Sequence, residues 1–362
     1  MSDDVYLNLR DRLDNYSFGF PATKSGVELR ILKKLFTEEE AGMFLLLNLV
    51  AESPESVAER TGRDIEETVS LLNRMSRKGL VFHMGKGEAS KYAAVPFVPG
   101  IYEFQAGSID RELAELIEEY GEEGLHVALL EGATFMRPIP VQRSVDAAHF
   151  VSTHDDAREI VKKQKLIAVA DCLCRKQQGL LGKACGKPLD VCMALGSFAQ
   201  HFINLNMARP ISVGEALEIL DRSEEAGLVV QPANARNPGA LCNCCGDCCA
   251  VLVALNKHPR PASLVVSNYY AVVDPDLCTA CETCVERCQM GAIGLNDQDV
   301  AEVNLDRCIG CGLCVTTCPG EALRMEIKPE DQRYAPPGRA SQLYMEMAEK
   351  RGKKIDLMSR NE

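Results

Sequence analysis

Eight of the seventeen cysteines stand in two runs of one spacing. Cys278, Cys281, Cys284 and Cys288 follow the pattern C-x2-C-x2-C-x3-C; Cys308, Cys311, Cys314 and Cys318 repeat it, with Pro319 after the last. Thiolates are soft ligands, and this run is the bacterial signature for a [4Fe–4S] cluster. Tight CxxCxxC turns close three thiolates on one cubane, and the fourth sulfur comes from the other run. That rule sets Cys278, Cys281, Cys284 and Cys318 round one [4Fe–4S] cluster, and Cys308, Cys311, Cys314 and Cys288 round a second. Structural zinc favours paired CxxC knuckles over triplets with a trailing fourth cysteine. The chemistry that this spacing points to is one-electron transfer.

Nine cysteines remain. Cys172, Cys174, Cys185 and Cys192 form C-x-C-Arg-x9-C-x6-C. The first two follow an apolar strand, Leu166–Ala170, and Cys185 falls in a Gly- and Lys-rich loop. Cys192 is expected in the first turn of a helix running from about Leu189 to Asn204, where the dipole and free N–H groups favour a thiolate. Four thiols converging there suit a third Fe–S cluster or a zinc site. Arg175, Lys176, Lys183 and Lys187 either offset a cluster's charge or are ordinary solvated loop charges. The other five, Cys242, Cys244, Cys245, Cys248 and Cys249, fall within eight residues interrupted by Gly246. Such density suits a cubane, a non-cubane cluster, zinc or another soft metal, or dithiol redox chemistry between neighbouring sulfurs. Nine thiols permit one or two additional Fe–S clusters or zinc without deciding which serve, or whether the two groups share a site. The six histidines (His83, His126, His149, His154, His201 and His258) have no ligand spacing to one another, and His154-Asp155 reads as the cap of a helix at Asp155–Lys163.

Elements that must position these thiols are legible in outline. Thr37-Glu38-Glu39-Glu40 is a capping-box pattern opening a helix towards Val50. Ser53 and Pro54 start a short second helix to Arg60. Asp64 to Lys78 is a third, with Ile65, Val69, Leu72 and Met75 on one face. Leu80–Met84 and Lys91–Val95 read as a two-stranded wing about Gly85-Lys86-Gly87. This order resembles the winged-helix domains of MarR- or ArsR-type repressors over about 60 residues. Its recognition helix would present Asp64, Glu66 and Glu67 to phosphates, and residues 37–95 carry ten acidic and seven basic side chains, a balance of −3. Protein docking or a homodimer is the expectation there, not nucleic-acid binding.

Pro96, Pro99 and Gly100 mark a boundary, after which residues 108–124 form an amphipathic helix with Leu113, Leu116 and Ile117 inward. A helix at Ser212–Glu224, capped by Ser212, precedes a strand at Leu228–Gln231, and a strand at Tyr270–Val273 enters the cysteine runs. The tail, Pro- and charge-rich, holds one helix and a mobile end. The expected fold class is α+β: a winged helix over 1–96, a mixed α/β cysteine-rich central domain over 97–262, a bacterial 2[4Fe–4S] ferredoxin-like module over 263–330 and a tail over 331–362.

A formal charge of −12 argues against a nucleic-acid partner. Apolar stretches such as Phe44–Val50 fall far short of the ~20 residues a membrane helix needs. Met1-Ser-Asp-Asp lacks the basic and apolar regions of an export signal, so a reducing cytoplasm is expected. No GxGxxG, GxxxxGK[ST] or nucleophile-elbow motif is present, and no motif marks a substrate pocket.

The whole chain resembles a group of anaerobe proteins described as 4Fe–4S ferredoxin-type or dicluster-domain proteins. The stretches that carry the resemblance are Phe97-Val-Pro-Gly-Ile-Tyr-Glu-Phe, Ala168-Val-Ala-Asp-Cys-Leu-Cys-Arg175, Cys242-Asn-Cys-Cys-Gly, and Ser267-Asn-Tyr-Tyr-Ala-Val-Val-Asp274, within about residues 25–340. It implies cluster-based electron transfer in an anaerobic cytoplasm. Gln289 departs from the simplest ferredoxin pattern, which has proline after the fourth cysteine. The expectation is an electron carrier or redox subunit that exchanges single electrons with a partner redox enzyme. The alternative is an oxidoreductase with a catalytic metal or dithiol site at Cys242–Cys249, fed by the ferredoxin module.

Overall fold

In the computed structural model, residues 2–85, 87–131, 135–145 and 153–353 are described. The chain is α+β. Helices α1 (Ser2–Asp14) and α2 (Val27–Leu35) precede the first helix read from the sequence. In α3 (Glu38–Leu46) Thr37 and Glu40 form the reciprocal capping box. Ser53 caps α4 (Pro54–Thr61), and Asp64 caps α5 (Ile65–Arg77) by accepting from the Glu66 and Glu67 N–H groups. The buried stripe of α5 is Thr68, Leu71, Leu72, Met75 and Ser76, while Ile65 is exposed. Strands β1 (Phe82–Met84) and β2 (Lys91–Ala93) pair antiparallel. Helix α6 (Arg111–Tyr120) buries Leu113, Leu116 and Ile117, and α7 (His126–Glu131) follows.

The middle of the chain builds one antiparallel sheet of five strands: β3 (Ile167–Ala170), β4 (Cys192–Leu195), β5 (Ala208–Ile211), β6 (Val229–Pro232) and β7 (Ala240–Cys244), in the order β5-β3-β4-β7-β6. Around it run α8 (Ala157–Lys162), α9 (Leu173–Leu180), α10 (Ser197–Asn204), α11 (Val213–Glu225) and α12 (Ala250–Lys257). Side chains alternate across the pleat. Small Ala168, Ala170 and Ala194 admit the core of the N-terminal helices on one face. Ile167, Val169, Met193 and Leu195 join α8, α11 and α12 on the other.

Three expectations need correction. The helix foreseen from Leu189 to Asn204 is a strand and a helix, parted by Gly196 at φ +58. Cys192 therefore lies on β4, opposite Ala170, because the apolar run Val191–Leu195 completes a ladder against β3. The helix end instead belongs to Cys172, the N-cap of α9. The cap of α8 is Asp156, which accepts from the Arg158 and Glu159 N–H groups. Asp155 is buried against Arg137 and accepts from Asn268 Nδ2 at 2.9 Å.

The C-terminal module is two copies of one unit, strand–cysteine run–strand. Strands β8 (Tyr269–Val273) and β9 (Ile293–Leu295) flank the first run, with α13 (Thr283–Arg287) inside it; β10 (Ala301–Val303) and β11 (Leu323–Ile327) flank the second. Each unit's first strand pairs with the other's last, β8 with β11 and β10 with β9. Left-handed residues recur at matching places: Ala280 and Glu282 in one run, Gly310 and Gly312 in the other. A Cβ on Gly310 would sit 2.2 Å from the Tyr269 carbonyl oxygen, and one on Gly312 2.1 Å from Ser144 Oγ. The second run is thus packed against the Tyr269 backbone and Ser144, whereas Glu282 in the first is exposed and tolerates its conformation at about 1 kcal/mol. Helix α14 (Ala340–Lys350) ends the described tail, and Arg351 ties it to Asp14 at 2.8 Å. The foreseen mobile end, residues 354–362, lies outside the described residues, as does His149.

Candidate iron-sulfur and thiol sites

In the C-terminal module the two cysteine runs lie against one small core. Cys284 feels the charge of Cys318 and Cys281, while Cys308, Cys311 and Cys314 all feel Cys288. Backbone N–H groups already point at sulfur: Ala292 donates to Cys288 Sγ at 3.2 Å, Ala301 to Cys278 at 3.3 Å and Ala322 to Cys318 at 3.3 Å. Burial pushes the Cys311 thiol up to about 12 and that of Cys314 well above the ordinary range. Buried thiols held so high need a cation before they ionise, and coordination to iron supplies one. Two groups of four thiols, N–H donors to sulfur and an apolar surround of Ala271, Ile293, Ala301 and Leu323 fit two cubanes.

The two groups differ in setting. Cys281 is exposed; its run carries Glu282 and Glu286, and Asp274 and Asp276 precede it. Cys288, Cys308 and Cys311 instead pack into the core that holds Cys244, Cys245, Cys248 and Cys249. Gln289 bridges the two regions. Its Oε1 accepts the Gly246 N–H at 2.7 Å, and its carbonyl oxygen accepts Asn256 Nδ2 at 2.9 Å.

The nine central cysteines do not gather as Cys172/Cys174/Cys185/Cys192 plus a separate five. Six are neighbours that shift one another's proton affinity in the order Cys192–Cys242–Cys244–Cys249–Cys174–Cys172. The other three, Cys185, Cys245 and Cys248, form a compact triad whose sulfurs all lie within 4.8 Å of one another. Among the six, hydrogen bonds from Cys242 and Cys249 hold the Cys244 thiol down at about 6. Cys172 is raised well above its ordinary value by its bond with Cys174 and by burial.

Arg175 holds this arrangement together. Its guanidinium donates to the Pro188 carbonyl at 2.6 Å and to the Asn243 carbonyl at 2.5 Å, joining the Cys185 loop to the Cys242–Cys249 segment. Burial opposes its charge, and the adjoining Cys172 and Cys245 more than offset that opposition.

All six neighbouring thiols and Cys245 line a cavity of about 150 Å³. Most of its other walls are apolar, among them Val98, Phe104, Met136, Phe198 and Phe202, and Leu343 and Tyr344 of α14 contribute one side. Glu103 also lines it; burial pushes its carboxyl up to about 7, against the pull of the Gly100 N–H at 2.6 Å. Sequence reasoning missed this cavity. Its walls come from segments far apart in the chain, and each reads alone as ordinary core. Phe97-Val-Pro-Gly-Ile-Tyr-Glu-Phe, noted above only as a shared stretch, is one of them.

Residues 271–325 match the 4Fe-4S dicluster domain family. No curated protein and no solved structure matches the chain. The C-terminal module is ferredoxin-type, and together with the cysteine-rich regions it supports an iron–sulfur electron-transfer role. Among the described residues no helix is long and apolar enough to cross a membrane.

Proposed function

We propose that the chain exchanges single electrons with a redox partner at the exposed first run and relays them to its central cysteines. Cys278, Cys281, Cys284 and Cys318 would hold the outer cluster, and Cys308, Cys311, Cys314 and Cys288 the inner one. When bound, [4Fe–4S] clusters supply reversible one-electron transfer. The chain's own part is to expose Cys281, to bury Cys284 and Cys314, and to aim the Ala292, Ala301 and Ala322 N–H groups at sulfur, which favours the more negative, reduced form. One observation carries the reading: three of the four inner cysteines, Cys288, Cys308 and Cys311, pack against the core that holds Cys244, Cys245, Cys248 and Cys249, and Gln289 bonds to Gly246 beside them. In this reading the units are 1–96, 97–262, 263–330 and the tail. Helices α3 to α5 with the β1–β2 hairpin support a winged-helix-like unit that docks protein, since Asp64, Glu66 and Glu67 are exposed at the end that would meet phosphates.

Iron, acid-labile sulfide and zinc per chain on anaerobically purified protein test it. About eight irons would leave the ferredoxin pair alone, and about twelve to sixteen would add central clusters. Cys284→Ser or Cys314→Ser should lose electron throughput with the fold intact; unchanged reduction kinetics would refute the relay.

A second reading is favoured by the cavity: an oxidoreductase whose catalytic metal or dithiol lies at Cys242–Cys249, fed by the module. It requires a reducible thiol pair or an open coordination position there. Full coordination by inert ligands would remove it.

A further inference from the structure

The triad differs in kind from the thiols on either side of it. Cys185 and Cys245 place their sulfurs 4.0 Å apart, and Cys248 lies within 4.8 Å of both. One metal bonded tetrahedrally to thiolates at ~2.3 Å sets its sulfurs about 3.8 Å apart. In a cubane each thiolate binds a different iron, so its sulfurs stand farther from one another. The triad has the spacing of a single ion, and among the described residues it is the one group of three or more His, Cys, Asp or Glu ligand atoms so close together.

Its surroundings fit the same chemistry. Three thiolates on a divalent ion leave one net negative charge, and Arg175 and Lys187 stand beside it. Lys187 also pairs with Asp247 at 2.6 Å, which occupies the nearest carboxylate of the loop. Two distant segments supply the ligands, and the Arg175 bonds to the Pro188 and Asn243 carbonyls fix their approach. Cys245 lines the apolar cavity, and Cys248 lines a second cavity of about 170 Å³ that also borders Lys183 and Gln178.

We propose that Cys185, Cys245 and Cys248 bind one soft divalent cation of the zinc class, with its fourth position left to water or an incoming ligand. Each thiol gives up its proton on binding. A three-ligand zinc with an exchangeable fourth position is the arrangement of catalytic rather than structural sites. The assignment does not touch the eight cysteines of the C-terminal module, but it takes three of the nine central thiols and leaves six, enough for one further cubane and about twelve irons in all.

Zinc and iron are measured on full-length protein purified anaerobically. About one zinc per chain is expected, falling about tenfold in Cys185→Ser and Cys248→Ser with iron unchanged. Cys281→Ser, outside the triad, should lower iron and keep zinc. Cobalt(II) added to zinc-depleted wild-type protein should give thiolate charge-transfer bands and the d–d absorption of a tetrahedral ion, which Cys185→Ser lacks. Iron lost together with zinc in Cys185→Ser, a disulfide among the triad in the anaerobic protein, or an unchanged cobalt spectrum in that variant would each overturn the proposal. Electron transfer by the module would survive any of these.

Discussion

Gln289 Oε1 accepts the Gly246 N–H at 2.7 Å, so the residue after Cys288 is bonded to the residue after Cys245. The position where a simpler ferredoxin turn has proline is here a contact between modules. Gly246 is required by the same approach, since a Cβ there would stand 2.6 Å from the Gln289 carbonyl oxygen.

Two substitutions test that contact. Gln289→Ala removes one hydrogen bond and should cost about 1 kcal/mol. Gly246→Ala forces backbone apart and should cost about 2 kcal/mol. Denaturant midpoints followed by the visible absorption of the clusters give both values. A neutral Gly246→Ala would mean that the two segments do not meet as described.

The exposure of Cys281 against the burial of Cys314 predicts unequal lability. Under a ferrous chelator, about half of the ferredoxin iron should leave in a fast phase and half in a slow one. Cys281→Ser should speed the fast phase about tenfold and leave the slow one alone. Release in a single phase would contradict the inner and outer assignment.

The dicluster runs were legible because their chemistry is local: a CxxCxxC turn carries its ligands within seven residues. The capping box at Thr37 and Glu40 and the caps Ser53 and Ser212 were legible for the same reason, since each cap bonds within three residues. Cys192 was misplaced because an apolar run flanked by glycine suits a buried strand as well as a helix, and only pairing with Ala170 decides. The division of nine thiols into six and three was illegible, because Cys185 meets Cys245 across 60 residues through Arg175.

Arg175 should be structurally costly to replace. Arg175→Met strands the Pro188 and Asn243 carbonyls and should lower stability by about 3 kcal/mol. Arg175→Lys should recover only part, because an ammonium cannot span both carbonyls as the guanidinium fork does. Unfolding curves of the three proteins at equal iron content decide it, and a methionine variant as stable as wild type would remove Arg175 from this role.

His201 gives the fold a pH dependence away from the thiols. It is fully buried among Phe82 and Phe104, with ring centroids 4.7 and 4.3 Å away, and its Nδ1 accepts the His83 N–H at 3.2 Å. Burial pushes it from its ordinary 6.5 down to about 4. Between those two values the unfolded chain binds the proton that the folded chain refuses. Stability is therefore constant above about pH 6.5 and falls as pH drops towards 4. From pH 7.5 to pH 5 the loss from this one group is about 2 kcal/mol. His201→Gln keeps an acceptor for the His83 N–H and cannot titrate, so its stability should fall by about 2 kcal/mol less than that of wild type over the same interval. Parallel pH profiles for the two proteins would show that His201 accepts a proton without opening the core.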